Sequence, residues 1–219
     1  SERIGILDRK LRVVSENAQT EEEWLEWTTR AFQSTYGDEF QGDNVLIARV
    51  NLLMTFEEYM EDRWRRKPSS KEYQSIANII SWIWQMDGLT ETIPYCKAEE
   101  ELHQMTMFEF LNMETDDSKK KNEQPLCEIY NWRSGYRLKF CAMKERSTGT
   151  MKFDFIIGNP PYQDETTTNN RAGALYPFFY DAAKELAEKY MLISPARFLF
   201  NAGLTSKDWN KMMLEDPNL

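Results

Sequence analysis

Asn159-Pro160-Pro161-Tyr162 is the tetrapeptide in this chain whose residue types and order best suit a chemical task. Two successive prolines fix two φ angles and remove two backbone donors, so the loop is stiff and its carbonyls stay free to accept. A planar exocyclic amine such as adenine N6 is a poor nucleophile, because its lone pair is delocalised into the ring. The Asn159 side-chain oxygen and the Pro160 carbonyl can each accept one amine hydrogen. Rigid acceptors of that kind favour a tetrahedral nitrogen over the planar one, which is selective stabilisation of the transition state. The nitrogen can then take a methyl from a sulfonium without a strong base. Tyr162 offers a flat face on which a flipped base can stack, worth about 1–3 kcal/mol against the cost of unstacking. The bland alternative is a structural Pro-Pro turn after a core strand.

The elements around this loop follow from periodicity. Phe153–Ile157 reads as a buried strand that runs straight into the loop. Residues 163–173 are polar, a flexible loop, and residues 174–188 form a helix. Tyr190–Ile193 reads as another strand. Upstream, Ile6 to Phe32 carries apolar residues at helical spacing, with Thr20 and Glu23 as a capping box. Thr35–Phe40 reads as a short strand, Asp43-Asn44 opens a long helix, and Pro68-Ser69-Ser70 caps a helix over 71–80. Ser81–Met86 reads as a strand ended by Asp87-Gly88. Residues 115–123 form a polar run, and Arg133-Ser-Gly135 joins a hairpin. Strands alternating with helices predict an α/β layered domain with a largely parallel sheet. Glu39, Asp87 and Asn159 all fall at strand ends, where such sheets bind ligands.

Composition narrows the setting. At 219 residues one domain is expected. No apolar run is long enough to span a bilayer, and the first residues lack the shape of a signal peptide. The three cysteines are odd in number and lack ligand spacing, so reduced thiols and a cytoplasmic location are expected. His103 has no nearby Cys or His partner, and no metal is assigned. The net charge of -9 argues against a protein that grips nucleic acid by charge alone. The clearest basic cluster, Arg63, Arg65, Arg66 and Lys67, lies beside Glu57, Glu58, Glu61 and Asp62 and reads as a solvated helix end in preference to a DNA contact.

The segment Phe153-Asp-Phe-Ile-Ile-Gly-Asn-Pro-Pro-Tyr162 resembles motif IV of the amino-group DNA methyltransferases. The stretch from Tyr36 to Asn44, with Ala48-Arg49 and Asn51-Leu-Leu53, resembles the motif II strand and helix of the type IIG restriction–modification branch. Trp84-Gln-Met-Asp-Gly-Leu89 resembles motif III. Leu175–Asp181 and Tyr190–Phe198 resemble the stretches after the catalytic loop. The resemblance implies a Rossmann-like sheet with flanking helices and S-adenosylmethionine as methyl donor. It implies one partial catalytic domain over residues 1–219, with an insert over 95–150. Glu39 would accept from the cofactor's ribose hydroxyls, Asp87 would hold its adenine amine, and Gly88 and Leu89 would pack on that ring. Asn159, Pro160, Pro161 and Tyr162 would be the catalytic loop. Phe178, Phe179 and Phe198 either line a target pocket or belong to the core, with core favoured. Glu39 as a solvated strand end and Asp87 as a turn residue remain the plain alternatives.

The chain departs from that family's pattern at its start, where a glycine-rich motif I and the central first strand of the sheet are missing. It also stops before any target-recognition domain. The expectation is therefore an internal segment that alone binds cofactor weakly and does not methylate DNA. The expected partners are double-stranded DNA with a flipped adenine and a fused or separate restriction endonuclease. A methyltransferase for a protein glutamine amide is the second reading, since that substrate is also a planar amine. A non-catalytic interaction module or truncated remnant is the third.

Overall fold

A computed structural model describes residues 5–95, 124–143, 152–163, 173–200 and 205–217. The predictions for Cys96, His103, the polar run 115–123 and most of the loop 163–173 lie outside those residues. The chain divides into two compact units, Ser1–Phe140 and Cys141–Leu219, and the boundary falls inside the insert expected over 95–150.

The first unit is a helical layer beside two small sheets. Helix α1 (Ile6–Asn17) buries Leu7 and Leu11. Helix α2 (Glu21–Gln33) starts where Thr20 accepts from the Glu23 amide. Glu23 does not close the expected box on Thr20; its carboxylate reaches one residue further, to the Gln19 amide at 2.9 Å. Helix α3 (Gly42–Trp64) begins at Gln41, which supplies no side-chain cap, and ends on Arg65 in the left-handed region. Helix α4 (Ser70–Ile80) carries a complete box between Ser69 and Glu72. Trp24 and Phe56, both fully buried, stack with ring centroids 6.1 Å apart. Leu11, Phe32, Met60 and Ile76 close the core around them. Each such side chain contributes about 1.5–3 kcal/mol by leaving water.

Strand β1 (Asp38–Glu39) pairs in parallel with β2 (Trp84–Gln85), Glu39 opposite Gln85. Both strands are shorter than their sequence patterns suggest. The Gln85 side chain takes the Phe40 carbonyl at 2.8 Å, so a side chain replaces the next ladder bond. Arg49 on α3 donates to the Ser81 and Ile83 carbonyls at 2.8 Å, which ties the long helix to the entry of β2. Strands β3 (Glu128–Asn131) and β4 (Tyr136–Lys139) form the predicted hairpin. Asn131 Oδ1 accepts from the Arg133 and Ser134 amides, and Gly135 takes the positive φ of 75° that the turn requires.

The second unit is a β-α-β arrangement. Strand β5 (Phe153–Gly158) pairs in parallel with β6 (Ala187–Leu192), and helix α5 (Tyr176–Leu186) connects them. The helix is shorter than predicted, because Ala187 and Glu188 already belong to β6. Helix α6 (Lys207–Leu214) is capped by Ser206. Tyr176, Tyr180, Phe198 and Met213 form the core here, with Trp209 packed against them. The prediction that β5 is buried needs correction. Phe155, Ile157, Met191 and Ile193 are exposed, because the core contacts of this pair lie on its other face, through Tyr190 and Leu192.

The described residues thus contain helices and strands in an α/β order, with parallel pairing in both units. Their strands form three two-stranded sheets, not the single larger sheet that the alternation predicts. Alternation marks which segments extend; ladder partners are chosen by contacts distant in sequence.

Candidate active site

In the first unit, Glu39 and Asp87 lie at the carboxyl ends of two adjacent parallel strands. The Met86 amide donates to the Glu39 carbonyl at 3.0 Å, which holds the two ends in register. Glu39 Oε1 accepts from the Gln41 amide at 3.1 Å. Asp87 Oδ1 accepts from the Leu89 amide at 2.9 Å and the Thr90 amide at 3.4 Å. The turn role weighed for Asp87 is therefore present, and it occupies one of the two carboxylate oxygens. Gly88 is half-buried and Leu89 exposed beside it. Each carboxylate keeps an oxygen outside these local bonds, and acceptor-only groups of that kind suit hydroxyl and amine donors.

The sequence reading missed two aromatic neighbours of this end. The Phe40 ring, next to Glu39, meets the Tyr95 ring edge-on at 5.8 Å. Tyr95 is 80% exposed and holds φ at 60°. A bulky residue in the left-handed region is strained and normally persists only where its surroundings hold it. No local sequence pattern marks this pair, because its partners are more than fifty residues apart.

The thiol beneath this end is inert. Cys127 is buried, and burial, followed by the charges of Asp38 and Glu91, pushes its pKa up to about 11. Among the described residues no cluster of His, Cys, Asp and Glu has the arrangement to hold a metal. No described helix is long and apolar enough to cross a membrane.

In the second unit, β5 delivers Gly158 into Asn159-Pro160-Pro161-Tyr162. The Ile193 amide donates to the Gly158 carbonyl at 2.9 Å, so the strand is paired up to the loop. A Cβ on Gly158 would stand 3.0 Å from Leu192 Cδ2, a close approach that glycine permits. Pro160 is buried and anchors the turn, while Asn159, Pro161 and Tyr162 are exposed. The Tyr162 hydroxyl donates to Asn159 Oδ1 at 3.0 Å. The Leu175 amide donates to the Tyr162 carbonyl at 3.1 Å, and Gln163 bridges Ala174. The loop is thus fixed at both ends, by β6 and by the start of α5. No described residue donates to the Pro160 carbonyl.

The structure brings Glu39, Asp87, Gly88 and Leu89 together at one strand-pair end, and Asn159 to Tyr162 together at another. Phe198 belongs to the core, as favoured, whereas Phe178 is exposed and Phe179 half-buried. Tyr180 supports the turn after β6, its hydroxyl 3.0 Å from Ser194 Oγ. A separate open cleft of about 560 Å³ between α2 and α4 contains none of these residues.

A family described as the Eco57I restriction-modification methylase matches residues 33–219. A curated relative from Mycoplasma pneumoniae, named an uncharacterized adenine-specific methylase, is 43% identical over 58 residues. That match covers 25% of this chain and 14% of the relative. No solved structure matches the chain. The family match takes in both strand-pair ends and the whole Asn-Pro-Pro-Tyr loop, and the chain belongs to the Eco57I restriction-modification methylase family.

Proposed function

We propose that the chain carries the catalytic loop of a site-specific DNA adenine methyltransferase, which methylates N6 of adenine from S-adenosylmethionine within a restriction–modification system. The observation that carries this reading is the loop itself. Asn159 stands exposed at the end of a parallel strand, beside a buried Pro160 and an aromatic ring that is 40% exposed. A planar amine entering there meets two acceptors that cannot follow it back to a flat geometry. The Tyr162 ring supplies the stacking plate for a base taken out of the duplex.

S-adenosylmethionine, when bound, supplies an electrophilic methyl on its sulfonium. The donor set of the first unit suits it. Glu39 and Asp87 are acceptors for ribose hydroxyls and an adenine amine, and Phe40, Leu89 and Tyr95 are exposed apolar surface beside them. Asn159 and the Pro160 carbonyl hold the two hydrogens of the target amine, which turns its lone pair toward attack. The amine proton released after transfer needs only water as acceptor. The fold that accompanies this reading is Rossmann-like, and parallel pairing with a helical crossover in the second unit supports it. The adenine in the relative's name favours a nucleobase over a protein glutamine amide. Duplex DNA with a flipped adenine, a fused or separate endonuclease, and a cytoplasmic setting belong to the same reading.

Long-read sequencing of DNA from cells making the full-length protein tests it. The expected result is N6-methyladenine in one sequence context, lost with Asn159→Ala. Unmodified adenine in cells that contain the folded wild-type protein overturns the reading.

A further inference from the structure

The basic cluster at residues 63–67 is partly neutralised internally. Arg63 donates to the Ala18 carbonyl at 3.0 Å, Arg66 bridges Glu21 and Glu72, and Lys67 pairs with Glu57 and Glu61. The β3–β4 hairpin is a different case. Residues 128–139 hold three cations, Arg133, Arg137 and Lys139, against one carboxylate, Glu128. In a chain of net charge -9 this is a local reversal of sign.

The register sets the geometry of the reversal. Tyr130 lies opposite Arg137 and Glu128 opposite Lys139, so all four share one face. The Arg137 guanidinium lies over the Trp82 ring, 5.1 Å from its centroid. Trp82 packs on Tyr130 at 5.1 Å, and Tyr130 on Trp132 at 4.6 Å. The Tyr36 hydroxyl ties this floor down by donating to the Tyr130 carbonyl at 3.1 Å. Arg137 nevertheless keeps 65% of its side chain in solvent, and its contact with Glu128 is long, at 3.8 Å. A guanidinium held over an aromatic floor retains N–H donors and has lost part of its freedom already, which suits it to phosphate oxygens. Arg137 and Lys139 lie about 6.8 Å apart along the strand, close enough for one strand's consecutive phosphates. Arg133 sits at the tip of a turn fixed by Asn131.

We propose that the β3–β4 hairpin is a backbone-contact site for duplex DNA, in which Arg133, Arg137 and Lys139 bind phosphates without reading bases. This inference rests on the DNA reading above and names a surface that reading does not need for its chemistry.

The test uses the full-length protein and fluorescence anisotropy with two labelled duplexes, one methylated by the protein and one not, over a salt series. Arg133→Gln/Arg137→Gln/Lys139→Gln is expected to weaken both complexes at least about tenfold at low salt. The slope of log affinity against log salt should shrink by about 1 for each phosphate that the variant no longer binds. Arg133→Lys/Arg137→Lys should retain the slope. Should the triple variant melt early, Arg133→Gln alone, at the turn tip, is expected to reduce the slope by about 1. Unchanged affinity and slope, in a wild-type protein that methylates adenine, overturn the hairpin site and leave the function standing. A weakening confined to the methylated sequence overturns the claim of base-independent binding. A wild-type protein that neither binds duplex DNA nor methylates adenine overturns both.

Discussion

The Tyr162 hydroxyl donates to the Asn159 side-chain oxygen across 3.0 Å, so the ring and the amide proposed as stacking plate and amine acceptor are one hydrogen-bonded unit. An amide oxygen has two acceptor positions, and this bond uses one. The second remains for a substrate hydrogen. Tyr162→Phe keeps the ring and releases the amide to rotate. We expect kcat to fall by about 2–10-fold, the usual net worth of one hydrogen bond, with KM for DNA unchanged. Tyr162→Ala should lose about 10–100-fold in kcat/KM through the stacking as well. Steady-state methyl-transfer kinetics separate the two, and an unaltered kcat in the phenylalanine variant would show that the bond does not orient the acceptor.

Removal of the acceptor itself should be more severe. Asn159→Ala leaves one acceptor, the Pro160 carbonyl, and costs about 100- to 1000-fold in kcat by analogy with deletion of one preorganised polar group. The residues assigned to the cofactor lie in the other compact unit, so cofactor affinity should persist. Calorimetry with S-adenosylmethionine beside a methylation assay checks both halves of the statement. A parallel loss of cofactor binding would show that Asn159 has a structural role beyond the reaction.

Most local devices in this chain are legible in its sequence, although the Glu23 carboxylate reaches Gln19 and not Thr20. Thr20 and Ser69 cap helices because the cap and its partner amide are three residues apart. Arg133-Ser-Gly135 marks a turn because Asn131 and Gly135 meet its backbone demands within five residues. What stayed hidden depends on partners distant in sequence. Gln85 ends the β1 ladder by taking the Phe40 carbonyl, 45 residues away. Phe40 and Tyr95 meet across a similar distance. Phe155 and Ile157 carry the apolar character of a buried strand, yet the pattern of one strand does not state which of its faces is covered.

Asp87 has two tasks that one substitution can separate. Its Oδ1 accepts from the Leu89 and Thr90 amides and so shapes the turn, while the reading gives its other oxygen to the cofactor's adenine amine. Asp87→Asn keeps an oxygen for the turn and places an NH2 group where the amine needs an acceptor. The expected result is an unchanged melting temperature with cofactor affinity reduced about 10- to 150-fold, the worth of a hydrogen bond to a charged group. Asp87→Ala should lower both. Equal cofactor affinity in wild type and Asp87→Asn would leave only the turn role.

The Glu72 carboxylate gives the first unit a defined acid sensitivity. It accepts from Arg66 at 2.7 Å and from the Ser69 amide at 2.7 Å, joining the start of α4 to the end of α3. Arg66 and burial act in opposite directions on it, and the Arg66 hydrogen bond dominates, holding its pKa down to about 2. An unfolded glutamate titrates near ~4.3. A carboxyl group with a lower pKa in the folded state adds stability above the unfolded value. That contribution fades as pH falls from about 4 toward 2, where both states become protonated. Glu72→Gln keeps a side chain that can close the capping box but loses the partly exposed ion pair, so it should destabilise the unit by about 0.5–1 kcal/mol at neutral pH. The difference from wild type should shrink below about pH 4, because protonation performs the same neutralisation there. Urea titrations of both proteins at pH 7 and pH 3 check this, and a gap that widens on acidification would assign the acid response to other carboxylates.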